Sequence, residues 1–231
     1  MNTVLLYSGG PDSYMTHYWA TLNKWAPRSI YFRLGHRYQR HEIRAVLETI
    51  PNTLIMTELC FLGKWEEKDA TIYARNVFLL VMASRVLSGD GIIFLTTQRD
   101  EMDIPDRTPE FFTRMGELIT SLSGNRVTVA TPWVNHDKTD MVWWYLGHGG
   151  SPETLLKTRS CYSTEEGNCG DCPACFRRYI ALSLNGIDEE YREDPARSAT
   201  AMGYYKKALE GKYTAKRTER IIAVGQREGV L

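Results

Sequence analysis

Short apolar runs alternate with longer amphipathic segments five times between residues 3 and 147, and that alternation leaves few folds open. Stretches at 3–7, 28–33, 53–58, 91–97 and 126–130 have the length and apolar content of buried strands. Segments at 11–24, 36–49, 71–88, 108–122 and 136–147 have helical spacing. Parallel strands need a long crossover between them, and a helix supplies it. The expected fold is therefore α/β: a Rossmann-like, doubly wound parallel sheet of about five strands with helices on both faces. Segment 71–88 is apolar nearly all round (Ile72, Val77, Phe78, Leu79, Leu80, Val81, Met82) and reads as a central buried helix.

After residue 147 the pattern stops. Gly147, Gly149, Gly150 and Pro152 interrupt it, a cysteine-bearing segment follows, and a polar helical tail begins after Asp188. The expected organisation is an α/β domain over 1–150, a metal-binding segment over 151–188 packed on the same domain, and a helical tail over 189–231. Residues 206–231 hold seven basic and three acidic residues but no basic run of five. A solvated helical face or a homodimer contact fits that pattern better than a nucleic-acid site.

The whole chain has 28 basic and 28 acidic residues, which argues against wholesale electrostatic binding of nucleic acid or anionic membrane. No run approaches the length of a membrane span. A strand that starts at residue 3 leads us to expect no secretory leader and a cytoplasmic setting. Clustered thiols there read as metal ligands rather than disulfides.

Between the first strand and the first helix lies Ser8-Gly9-Gly10-Pro11-Asp12-Ser13. Glycines allow positive φ and close backbone approach. Pro11 suits a first helical position, where its missing N–H does no harm. The free N–H groups and the dipole of the new helix favour an anion in the loop. The run therefore reads as a phosphate cradle, but it lacks the GxxxxGK[ST] pattern and its lysine. A plain polar strand–helix turn is the alternative. Asp12 is placed either to serve Mg²⁺ or to cap the helix.

Cys161, Cys169, Cys172 and Cys175 are spaced C-x7-C-x2-C-x2-C. Four thiolates satisfy Zn²⁺ tetrahedrally and leave no open position, so such a site is structural. Lys157, Arg159, Arg177 and Arg178 stand nearby in sequence to offset its negative charge. An iron–sulfur cluster and unligated reduced thiols are the alternatives. Cys60 lies in an apolar stretch and reads as a small core residue.

The SGGxDS loop resembles that of the PP-loop ATP pyrophosphatases. Further stretches narrow the resemblance: Phe32-x-x-Gly35-His36-Arg37, Arg75-Asn76, Pro105-Asp106 with Glu110-Phe111, Thr131-Pro132 with Lys138-Thr139, and Cys161-Tyr162 followed by CGxCxxCxxR from Cys169 to Arg178. In that order, over roughly residues 1–188, they resemble the 7-cyano-7-deazaguanine (preQ0) synthase family.

The resemblance implies an ATP-dependent carbon–nitrogen ligase that takes 7-carboxy-7-deazaguanine and ammonia to the nitrile, releasing AMP and pyrophosphate. It implies ATP on Tyr7, Ser8, Gly9, Gly10, Pro11, Asp12, Ser13 and Tyr14, with Mg²⁺ and Zn²⁺ as the metals. Asp12, Ser13 and Lys138 would be the catalytic residues, although Lys138 taken alone is an ordinary surface lysine. A deazaguanine shows an N–H and an NH₂ on one edge, which a carboxylate can accept. Asp106 is the candidate, with Asp100 and Glu110 behind it; Arg75 would pair with the substrate carboxylate, next to Asn76.

The family's Gly-Tyr and Cys-Arg pairs around Asp106 are Asp103-Ile104 and Arg107-Thr108 here, and no glycine occurs in Phe94–Gln98. An amide synthase acting on this or a related acid, or a nucleotide- and zinc-binding module without turnover, are the other readings.

Overall fold

A computed structural model describes residues 2–101 and 104–231, so the Asp103 departure lies outside the described residues. The chain divides into two compact units.

The first unit takes the chain to Asn135 together with Glu153–Arg159. Its sheet holds β1 (Asn2–Leu6), β2 (Arg28–Phe32), β3 (Leu54–Met56), β4 (Gly91–Phe94) and β5 (Val127–Ala130), in the order β3-β2-β1-β4-β5. Every pairing is parallel. Helices α1 (Pro11–Leu22), α2 (Gln39–Thr49), α3 (Arg75–Ser84) and α4 (Pro109–Ser123) connect the strands.

Alternate strand residues serve opposite faces. Val4, Leu6, Ile30, Phe32 and Ile93 pack with Leu80 and Ala83 of α3 and with Phe112 and Met115 of α4. Leu5, Tyr31 and Phe94 pack with Ala20 of α1 and Val46 of α2. Both faces are covered, which is why the strands read as continuous apolar runs. The expected doubly wound α/β fold is the one observed. The strand order reverses between β1 and β4, and ligands of such sheets sit outside the carboxyl ends at that crevice.

Two expectations need correction. The segment 71–88 holds a shorter helix, and only Asn76, Leu80 and Ala83 of α3 are buried. The helix lies on one face of the sheet and buries one stripe; Phe78 and Val81 stay exposed on the other. Phe78 meets Phe61 edge-on at 6.2 Å and Phe61 meets Trp65 at 5.7 Å, so the excess apolar residues form a surface cluster. Cys60 is exposed. It opens the 3₁₀ turn Cys60–Trp65, whose only buried side chain is Leu62.

The second unit takes His136–Pro152 and everything from Ser160 onward. It holds α5 (Lys138–Gly147), then, beyond the short α6 (Pro152–Leu156) that leads back into the first unit, α7 (Pro173–Ser183), α8 (Ala199–Leu209) and α9 (Ala215–Arg227). Phe176 and Ile180 of α7 pack with Tyr205 and Ala208 of α8 and Ile221 and Val224 of α9. The helical tail therefore buries its apolar faces within its own unit. Arg178 is 1% exposed and grips Glu189 through Nε and Nη2 at 2.7–3.0 Å. Removing one partner of such a buried pair costs about 3–5 kcal/mol, because the other charge is stranded. No helix among the described residues is long and apolar enough to cross a membrane.

Candidate active site and metal centre

The loop after β1 is built by hydroxyls and by one helix packed beneath it. Ser13 is buried; its Oγ donates to the Gly10 carbonyl at 3.1 Å, accepts from Ser8 N–H at 3.2 Å and lies 3.1 Å from Ser8 Oγ. Gly9 adopts φ 75°, and a Cβ there would come within 2.8 Å of the Glu42 carbonyl on α2. The Gly9 carbonyl accepts from Arg159 N–H at 2.8 Å. Gly10 is the N-cap of α1 and Pro11 follows as its first residue, so Asp12 is not the cap. Asp12 sits in the first turn, where the dipole stabilises its charge.

Tyr7 is buried and its hydroxyl meets Thr49 Oγ1 at 2.5 Å; burial above all pushes its pKa up, so it stays neutral. That contact ties the residue that follows β1 to the last residue of α2. Below the loop, Glu42 accepts from the Tyr31 hydroxyl at 2.9 Å and lies 3.0 Å from His36 Nε2. Burial first, and the Glu42 charge second, push the Tyr31 hydroxyl up as well.

The carboxyl ends of β4 and β5 are tied to α1 by side chains. Thr16 Oγ1 receives Trp133 Nε1 at 2.8 Å and Thr96 Oγ1 at 2.9 Å, and itself donates to the Asp12 carbonyl. Thr131 Oγ1 donates to the Thr97 carbonyl at 2.9 Å. Beside them, Thr97 is 1% exposed and Gln98 4%. Thr97 Oγ1, Gln98 Oε1 and Arg75 Nε are buried and have no hydrogen-bond partner among the described residues. A buried polar atom without a partner costs about 1–3 kcal/mol, so these atoms point to a ligand or ordered water. Neither Thr97 nor Gln98 belongs to a motif named above. Their signal was two polar residues ending an apolar strand.

Arg75 is the first residue of α3, entered through Ala74 at φ 55°. Asn76 is buried and donates to the Asp106 carbonyl at 3.1 Å, which holds the 3₁₀ turn Pro105–Arg107 against the start of α3. Arg75, Asn76 and Asp106 are thus brought together. Asp100 lies 3.6 Å from Arg99 Nε in the preceding turn. Glu110 is placed apart: its side chain is 72% exposed and pairs with Arg114 on the outside of α4. Arg107 pairs with Glu101 at 2.5 Å.

In the second unit the four cysteine sulfurs lie within 4.8 Å of one another, and Cys169 and Cys175 are 3.8 Å apart. Bonds of about 2.3 Å to a tetrahedral ion put the sulfurs about 3.8 Å apart, so the set fits one ion. Ser163 and Cys169 N–H donate to Cys161 Sγ, and Cys175 N–H to Cys172 Sγ, the contacts that orient metal thiolates. Hydrogen bonds from Cys172 and Cys175 push the Cys161 thiol far down. Burial and the Cys172 charge push Cys169 up to about 12. A divalent cation can replace the protons of such clustered thiols. Arg177 bonds the hydroxyls of Tyr204 and Tyr162, and Arg178 is spent on Glu189. Arg159 belongs to the first unit.

Lys138 is half-buried at the first position of α5. Asp137 caps the helix by accepting from Asp140 N–H at 2.8 Å, and Asp140 accepts in return from Asp137 N–H at 3.0 Å. Lys216 of α9 lies 2.5 Å from Asp140 and 3.9 Å from Asp137, and Arg220 lies 3.3 Å and 3.8 Å from them.

Residues 61–186 match the family model described as queuosine biosynthesis protein QueC. Three relatives, each named 7-cyano-7-deazaguanine synthase, are similar over most of their length. The Alteromonas mediterranea protein is 25% identical over 213 residues, 81% of this chain and 96% of its own. The Nitratiruptor protein is 25% identical over 84% of this chain and 97% of its own. The Pyrococcus horikoshii protein is 26% identical over 81% of this chain and 94% of its own.

Proposed function

Because this chain belongs to the QueC family of queuosine biosynthesis proteins, we propose that it makes 7-cyano-7-deazaguanine from 7-carboxy-7-deazaguanine, ammonia and ATP. The observation that carries the reading is the Ser8–Ser13 loop after β1, with polar atoms of Thr97 and Gln98, just beyond neighbouring β4, buried and unpartnered among the described residues.

A carboxylate is a poor electrophile because its oxygen is a poor leaving group. A carboxylate oxygen attacks the α-phosphorus of ATP, the bond to the β-phosphate breaks, and pyrophosphate departs. Ammonia then adds to the acyl carbon, AMP leaves with that oxygen, and a lost proton yields the amide. The amide oxygen attacks a second ATP in the same way. Loss of AMP and the remaining nitrogen-bound protons gives the nitrile.

The N–H groups at the start of α1 hold the phosphates, Asp12 holds Mg²⁺, and Lys138 offsets charge that develops on the leaving pyrophosphate. Mg²⁺ neutralises the phosphates when bound. Asp106, with Asp100 beside it in sequence, accepts from the deazaguanine edge, and Arg75 pairs with the carboxylate. The four cysteines hold Zn²⁺ as a structural ion; an iron–sulfur cluster would spread its cysteines further apart than a single tetrahedral ion does. A reducing cytoplasm keeps those thiols available.

Mass spectrometry of a reaction with the acid, ATP-Mg and ammonium tests the reading. Nitrile, AMP and pyrophosphate are expected. Amide as the final product, ADP and phosphate, or no conversion would contradict it.

A further inference from the structure

The family model ends at residue 186, whereas α8 and α9 lie beyond it. We propose that this tail serves the reaction: Lys216 and Arg220 of α9 are positioning residues that clamp the start of α5 and so fix Lys138. The proposal rests on the role given to Lys138 above.

Lys138 stands between the two members of the capping box, Asp137 and Asp140. Whatever fixes both ends of that box fixes the lysine's backbone. The box already satisfies the helix end through its own backbone bonds, so capping does not account for the two cations. Lys216 Nζ reaches both oxygens of Asp140, at 2.7 and 2.5 Å, and Arg220 adds a third contact at 3.3 Å.

The clamp is itself anchored. Lys216 and Arg220 are four apart on one face of α9, while Ile221 and Val224 are buried in the helical core. Thr214 caps the first turn of α9 by accepting from Arg217 N–H. On the other side, Asn185 donates to the Thr139 carbonyl at 3.1 Å and holds the same turn of α5.

Charge gives the clamp a consequence for phosphates. With Lys216 and Arg220 in place, two cations offset the charges of the Asp137 and Asp140 carboxylates. Without them the two carboxylates lose those cations, and the start of α5 offsets less of the charge that develops on the leaving pyrophosphate.

The test compares the full-length wild type with Lys216→Ala, Lys216→Ala/Arg220→Ala and Lys216→Arg, all with bound metal verified. The double variant should lower kcat for AMP formation at least about tenfold while KM for ATP stays within about threefold, the pattern of an interaction used in the transition state. Lys216→Arg should stay within about threefold of wild type. Hydrogen exchange of the amides of 137–141, measured without substrate, should quicken in the double variant and not in Lys216→Arg. Unchanged exchange overturns the clamp. Faster exchange with unchanged kcat, or a raised KM with kcat intact, overturns the positioning role. If the double variant does not fold, Lys216→Ala decides on the same readouts. Wild-type protein that forms no AMP from the acid would refute the functional reading instead, and the exchange comparison then decides the clamp by itself.

Discussion

Gly9 was legible as a glycine that takes positive φ, whereas the close approach of the α2 backbone beneath it was not. Its φ of 75° and the Glu42 carbonyl beneath it make the requirement. Thr97 and Gln98 were not legible, since a polar pair at a strand's end looks like any exposed edge until its burial is known. Arg75 and Asp106 were selected by motif, and the bond from Asn76 to the Asp106 carbonyl brings their segments together. Arg107 is already neutralised by Glu101. Arg75→Ala and Asp106→Ala should each lower AMP formation from the deazaguanine acid at least tenfold, roughly 1.4 kcal/mol of transition-state stabilisation. Arg107→Ala should do less, and steady-state kinetics on the three variants would show the order. If Arg107→Ala proved the most damaging, the assignment of this turn to the substrate would fail.

Among the elements, the strands and α1, α2 and α4 followed from periodicity because both sheet faces are buried. The surface side of α3 did not, because apolar Phe78 and Val81 carry no sign of where they point. The cysteine spacing sufficed to gather four sulfurs, while the contact of α9 with α5 joins residues 76 and 80 positions apart and leaves no local pattern. Metal analysis should find one zinc per chain. Cys161→Ser should lose it and unfold the segment from Cys161 to Cys175, seen as rapid proteolysis there, because ligation supplies much of the folding energy of such a segment. Iron with labile sulfide would refute the assignment.

The α5–α9 contact also predicts a pH dependence. Burial works against the Asp140 charge, but hydrogen bonds from Lys216 and from Asp137 N–H, with the Lys216 and Arg220 charges, hold the carboxyl below its usual range. A carboxyl depressed on folding stabilises fully above its unfolded pKa of about 3.9, and the stabilisation is lost as pH falls through the lower folded value. Lys216→Met should therefore be less stable than wild type at about pH 6, with the gap closing as pH falls below the unfolded value of about 3.9 in denaturant titrations. A constant gap would mean that Asp140 is not the group responsible.

At the scale of the molecule, the central proposal is that ATP activates an oxygen of the substrate, first as carboxylate and then as amide. Acid labelled with ¹⁸O at both carboxylate oxygens tests that claim directly. Nitrile free of label is expected, with AMP carrying one ¹⁸O for each activation and none in pyrophosphate. Label in inorganic phosphate, or release of both labelled oxygens to water, would contradict it.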